Sequence, residues 1–427
     1  MKDLAIVGAG IGGCSAAYFA AKSLQGLNVT IYDSQNRVGG RILTYNSAGA
    51  SMELGAAFFT GFNRTLLNIV KAEKLKIGPF QERKDFAVWN GKKLAFRSNK
   101  QSFATGLKLL AKYKLSIERT FLLLKKVKGQ LAKLYRETLK NPANMDEIFE
   151  STSLDEWHKK PFSDILIERG VSQEFIDEII APITRTIYTQ NADLGGFAGI
   201  SSLIGVTSGA TYRMAEGNST LPVHLAKTSN ARIKLREKVD VIEKMPDGTY
   251  RLFTAKDIAV FDCVIIAAPV ELADIKFDGV SVPGWEHHPY QAVYRKIMRG
   301  VLNPEYFGLK NTEAPPAIIL TTRDTDPITY YSILKKDNGE SLVMISSSEP
   351  LNYNAFNGLF KNGGASVFEH YWKAAYPKFK PITRLPPTRI DKRLIYAGAT
   401  EAAVSSMETS ALSALNAVRM LREEHPN

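Results

Sequence analysis

Six residues near the start of the chain limit its folding options more than any other feature. The apolar run at residues 4–7 enters Gly8, Ala9, Gly10, Ile11, Gly12 and Gly13, and a helix-forming stretch, residues 14–24, follows directly. The order is strand, glycine turn, helix, and the spacing is GxGxxG. Gly8 permits a sharp turn, and Gly10 removes the Cβ that would block a pyrophosphate. Gly13 lets helix and strand pack closely, while the helix N-terminus offers its N–H groups to phosphate. A second apolar strand, residues 29–33, ends in Asp33, twenty positions beyond Gly13, where a carboxylate can accept hydrogen bonds from an adenosine ribose. Together these predict a dinucleotide site on a parallel α/β sheet.

The residues that follow narrow the kind of dinucleotide. Arg37, Val38, Gly39, Gly40 and Arg41 come directly after the acid, and nicotinamide-binding folds have no general need of this second glycine pair. It lets main chain approach a cofactor again, and Arg41 can place a guanidinium on phosphates. The plainer alternative is a Gly-Gly turn opening a hairpin. Glu53, Leu54, Gly55, Ala56 and Ala57 then give another small-residue approach, suited to a flat ring system.

Composition bounds the rest. At 427 residues the chain exceeds one hydrophobic core, so two interleaved domains are expected. Cys14 and Cys263 are the only cysteines, which excludes a disulfide framework. No metal-ligand cluster or nucleophile triad is visible; His287 and His288 read as loop surface. The first residues lack the charged start and apolar stretch of a secretory leader, and no run of about eighteen apolar residues occurs, so a cytoplasmic protein is expected. Lys and Arg number 55 against 43 Asp and Glu, a net charge of +12. Residues 107–140 hold ten of those basic residues against Glu118 and Glu137, on a helical pattern whose apolar stripe runs through Ile117, Phe121, Leu124, Val127, Leu131 and Leu134. Such a helix either packs its stripe on its own domain or offers a peripheral contact to an anionic membrane. It carries no nucleic-acid reading motif.

The GxGxxG turn, Asp33, the Gly39-Gly40-Arg41 segment and the Glu53-x-Gly55 segment together resemble the flavin-dependent amine oxidase superfamily. The resemblance implies FAD, with its adenine near Asp33 and its isoalloxazine at a domain interface. It also implies a Rossmann-like FAD-binding domain from residues 1–75, 207–270 and 385–427, with an α+β substrate domain from 76–206 and 271–384 interleaved. Cofactor contacts then fall on Gly8, Gly10, Ile11, Gly12, Gly13, Asp33, Gly39, Gly40, Arg41, Gly55 and Ala56, and on Val239 through its backbone. Residues 407–421 read as a helix, and the superfamily aims the start of this helix at the pyrimidine edge of the ring, which places Glu401, Met407 and Glu408 there. The charge of Glu408 partly opposes the helix end unless it points away. Lys296, in the alternating pattern of residues 293–301, lies where amine oxidases often hold a water against flavin N5.

Tyr376-Pro377-Lys378-Phe379-Lys380-Pro381 and the string from Glu401 to Ala411 are most similar to the prenylcysteine oxidase (prenylcysteine lyase) family within that superfamily. Residues 180–185 and 188–197 are similar in the same way. This resemblance implies oxidation of the carbon beside the sulfur of a prenylated cysteine by hydride transfer to flavin N5, giving an aldehyde and a free thiol. Arg185, Tyr188 and Phe197 are then expected in the substrate pocket, along a Gly- and Ala-rich wall. FAD is expected to be non-covalent, since neither cysteine lies where the ring should be. Amine oxidation or polyene desaturation on the same scaffold, and non-catalytic prenyl binding, stay open as alternatives. Retention of the whole dinucleotide motif favours an enzyme.

Overall fold

The computed structural model describes the chain apart from residues 25, 48–49, 81–84, 99–101, 283, 285–287, 338 and 425–427. Its first strand, Asp3–Val7, is central to a six-stranded sheet. It pairs in parallel with Asn28–Asp33 on one side and Cys263–Ile266 on the other. Arg232–Leu235 extends the sheet beyond Asn28–Asp33, while Leu394–Tyr396 and then Arg389–Asp391 extend it beyond Cys263–Ile266. Alternation along the first strand explains why both faces are apolar. Leu4 and Ile6 point to the helices Ile11–Ser23 and Met407–Glu423, while Ala5 and Val7 point to a four-stranded sheet containing Val239–Lys244 and Tyr250–Thr254.

A second, seven-stranded sheet takes its strands from two stretches only. Ala365–Pro377, Tyr290–Gly300, Glu340–Ser347, Ile328–Asp337 and Ile318–Thr321 lie side by side, followed by Phe86–Trp89 and Leu94–Arg97. Helices between Ser102–Lys140 and Gly196–Thr207 join the same apolar core as the four-stranded sheet, and their buried residues include Trp157, Phe162 and Phe197. The architecture is mixed α/β, as expected from the motif order.

Two sequence expectations change here. The helix predicted at 107–140 spans Ser102–Lys140 with a kink at Tyr113 and buries Leu124, Val127 and Leu134, but Phe121 faces solvent with 63% of its surface exposed. His288 is buried instead of lying at the surface, and His287 falls outside the described residues.

Candidate active site

Gly8 adopts φ +109°, a left-handed conformation that turns the chain out of its strand. Asp33, at the end of the neighbouring strand, closes the turn: its carboxylate accepts from Ala9 N (2.6 Å) and Gln35 N (2.7 Å). Gly39 N donates to Ala9 O (2.8 Å), so the second glycine pair lies directly over the first. Gly10 needs no unusual φ, and a Cβ there would meet only Gly40 Cα, at 3.9 Å. Its open side faces a cavity.

That cavity, of about 700 Å³, is lined by Gly8, Gly10, Ile11, Gly12, Asp33, Gly39, Gly40, Arg41, Gly55, Ala56, Val239, Glu401 and Met407. Gly13 does not line it. A Cβ on Gly13 would lie 1.8 Å from Gly8 O, so this glycine serves helix-strand packing. Arg41 is held by the far end of the chain: both its terminal nitrogens bond Glu401, Nη2 to Oε2 at 2.9 Å, and Nη1 also donates to Ala375 O at 3.1 Å. Its charge is therefore matched by Glu401 as well as directed at the cavity. The helix Met407–Glu423 starts at the cavity wall, its N-terminus capped by Ser406 Oγ, which accepts from Thr409 N (3.1 Å).

Glu408 has another role than the one expected. Its carboxylate turns away from the cavity and accepts from Thr65 N (2.7 Å) and Leu66 N (3.0 Å), capping the helix Arg64–Ala72. Burial pushes this carboxyl above the ordinary range, against the pull of those donors. Because it turns away, the positive end of its own helix is left unopposed at the cavity. Glu408→Ala should cost about 2–3 kcal/mol of stability by orphaning two buried N–H groups, measured by denaturant melts, with cofactor content per folded chain unchanged.

Lys296 does not reach the cavity either. On Tyr290–Gly300, Val293 and Arg295 face the cavity, so Lys296 faces the opposite side. There its Nζ bonds Glu369 Oε1 (2.5 Å) and sits 5.3 Å from the Phe356 ring centre. The neighbouring Arg295 does line the cavity, and nothing in the sequence marked it out. It is 5% exposed, donates Nε–H to Leu54 O (3.4 Å) and Nη1–H to Ser346 Oγ, and lies 5.1 Å from the Tyr330 ring centre. Among the described residues no carboxylate pairs with it. Directly across the sheet, His370 also lines the cavity, with its ring 4.3 Å from that of Trp372. Its Nε2 is buried without a hydrogen-bond partner. Burial, and then Arg37 and Arg295, hold this imidazole below its ordinary pKa, so it is neutral at pH 7.

The three expected pocket residues are structural. Arg185 Nε bonds Thr321 O (3.2 Å) and its Nη groups bond Asn191 Oδ1 (3.2 Å), Asp326 Oδ1 (2.5 Å) and Ile328 O (2.9 Å). A guanidinium so fully bonded clamps a helix to the second sheet and leaves nothing for a ligand. Tyr188 stands one layer behind the cavity, donating to Ser405 O (3.1 Å) and meeting Tyr376 edge-on. Phe197 packs against Phe149 in the helical core. The glycines beside it permit close helix packing, not a tunnel: Cβ atoms on Gly196 and Gly199 would fall 2.3 Å and 2.2 Å from the side chains of Ile165 and Phe162. Cys14 and Cys263 are buried away from the cavity, each thiol pushed up to about 12 mainly by burial.

Residues 96–426 match the family model described as prenylcysteine lyase, and residues 6–72 match that of an NAD(P)-binding Rossmann-like domain. The farnesylcysteine lyase of Arabidopsis thaliana is 28% identical, and the prenylcysteine oxidase 1 of Homo sapiens 26% identical; each alignment covers 97% of this chain and 87% of the relative. Among solved structures, the cyclohexylamine oxidase of Brevibacterium oxydans superposes with a TM-score of 0.67 at 16% identity over 100% of both chains. That likeness bears on the fold.

Proposed function

Because the chain belongs to the prenylcysteine lyase family, we propose that it is an oxidase of prenylated cysteine thioethers that uses non-covalent FAD. The observation that carries the reading is one continuous cavity. It joins the dinucleotide turn to a wall of the second sheet, where, among the described residues, the buried guanidinium of Arg295 has no carboxylate partner and His370 Nε2 has no hydrogen-bond partner. A group that brings negative charge and hydrogen-bonding atoms into this space would satisfy both. The side of Gly10 that a Cβ would fill is open in the same cavity. These features fit FAD.

When bound, FAD would supply the acceptor for the hydride lost by the carbon beside sulfur; water adds to that carbon with loss of a proton, and the C–S bond of the resulting hemithioacetal breaks as its hydroxyl proton passes to sulfur, giving aldehyde and free thiol. Asp33 would hold the ribose, and the N–H groups at Ile11 and Gly12 would hold the pyrophosphate. The start of the helix at Met407 and the Arg295 guanidinium favour the negative charge that arrives with the hydride. Neutral His370 would present its unpartnered Nε2 to orient the attacking water, whose proton passes to solvent as it adds. No strong acid or base is required, which agrees with a wall on which Glu401 is engaged by Arg41 and Glu237 by Lys234 and Thr254. The two cysteines lie away from the cavity, which supports non-covalent binding.

Anaerobic addition of farnesylcysteine or geranylgeranylcysteine should bleach the flavin and yield cysteine and the prenyl aldehyde. Bleaching by a hydrophobic amine or a polyene in place of every prenyl thioether would transfer the assignment to those reactions. Lipid binding with no bleaching by any of them would identify a carrier.

A further inference from the structure

We propose that the outer face of the helix Ser102–Lys140 docks on an anionic phospholipid bilayer, with Leu115, Phe121 and Leu122 as its apolar wedge and unpaired basic side chains around them. The three wedge residues are 59%, 63% and 56% exposed. At 3.6 residues per turn, Leu115 and Leu122 lie two turns apart on one line, and Phe121 lies about 100° round the helix from Leu122, so the three bracket the solvent-facing stripe. Leu123, Leu124 and Val127 on the opposite face are buried, so the helix is apolar toward its own domain and apolar again toward solvent.

The charges around the wedge have one dominant sign. Lys114 and Lys125 flank it, and Lys133, Arg136 and Lys140 continue the same stripe over about 39 Å from Lys114. Among the described residues none of these five forms an ion pair, whereas Lys112 and Lys126, on the flanks, are paired with Glu174, Glu178 and Glu156. Glu118 is the single acid on the stripe. A long strip of unneutralised cations with apolar side chains along both margins complements a sheet of lipid phosphates: the apolar side chains enter between headgroups while the lysine stems lie along apolar surface and raise their ammonium groups to phosphate. No helix among the described residues is long and apolar enough to cross a membrane, so the contact is peripheral. This proposal does not depend on the cofactor or the reaction.

The test is co-sedimentation of the full-length protein with vesicles of phosphatidylcholine alone, or with about a third phosphatidylserine, at low and high salt. Binding should require phosphatidylserine and weaken with salt. Each basic residue near an anionic surface contributes roughly fivefold, so a Lys114→Glu, Lys125→Glu, Lys133→Glu variant should lose well over a hundredfold in affinity. Phe121→Ser with Leu122→Ser should lose at least tenfold even at low salt. All five positions are exposed, and flavin content and turnover of detergent-dispersed substrate should match the unaltered protein. Equal binding to both vesicle types, or variants that bind as the unaltered protein does, would overturn the proposal. So would sedimentation equilibrium showing a dimer that the Ser variant dissolves while vesicle binding is absent, since the face would then join two copies of this chain.

Discussion

Gly10→Val should yield a folded, soluble and colourless protein. Valine tolerates the ordinary backbone of residue 10, φ −74° and ψ −175°, and its Cβ meets no atom of the chain closer than 3.9 Å, so folding has no reason to fail. Its branched side chain instead fills the space where main chain and pyrophosphate must touch. A loss of at least a hundredfold in FAD affinity, about 2.7 kcal/mol, is expected, read as the flavin absorbance of the purified chain and by titration with FAD. Gly13→Ala provides the contrast. There the new Cβ would lie 1.8 Å from Gly8 O, so strand and helix must separate and stability should fall together with flavin content. Flavin retained at full stoichiometry by Gly10→Val would show that the cavity is not the dinucleotide site.

Arg295→Met should leave FAD in place and slow its anaerobic bleaching by prenylcysteine on the order of a hundredfold, the usual effect of removing one preorganised charge from a water-poor site. Methionine occupies similar space, and Ser346 Oγ keeps its bond with Thr329 Oγ1 (2.9 Å), so the sheet should hold. Lys296→Met should change the rate by less than about twofold, because that lysine is engaged with Glu369 on the other side of the strand. Stopped-flow traces at 450 nm on the two variants decide the matter. The reverse ranking would return Lys296 to the site and remove Arg295 from it.

That pair also shows where sequence reading ends. The alternation of residues 293–301 reveals a strand, but not which alternate set faces the cavity, because both sides of this sheet are covered. Arg295 and Lys296 are chemically similar, and only the position of Trp372 and His370 on the adjacent strand distinguishes them. The nucleotide turn was legible because a local backbone constraint sets it: Gly8 and Gly10 have roles determined by residues within a few positions, and Asp33 by the next strand. The helical layer was not. A Gly- and Ala-rich helix has the same composition whether it borders a void or another helix, and here Phe162 and Ile165 fill the space beside Gly196 and Gly199. Arg185 looked available for a ligand because its four acceptors come from Asn191 and from three residues more than 130 positions away.

The sheet that holds the dinucleotide turn draws its strands from residues 3–33, 232–266 and 389–396, and Arg41 is fixed by Glu401, 360 positions later. During synthesis, therefore, the glycine turn is made first and completed last. A nascent chain that has passed the first two strands has no parallel partner for Asp3–Val7 on its inner side, and the helix start at Met407 does not yet exist. Closing loops of this length precedes the contacts that reward it, which makes such topologies slow to fold and exposed to misassembly. Loading of the cofactor is thus a late event, coupled to the emergence of the last forty residues. A flavin bound in this cavity would in turn hold the first and last segments of the chain together, acting as a fastener for the fold as much as a reagent for its chemistry.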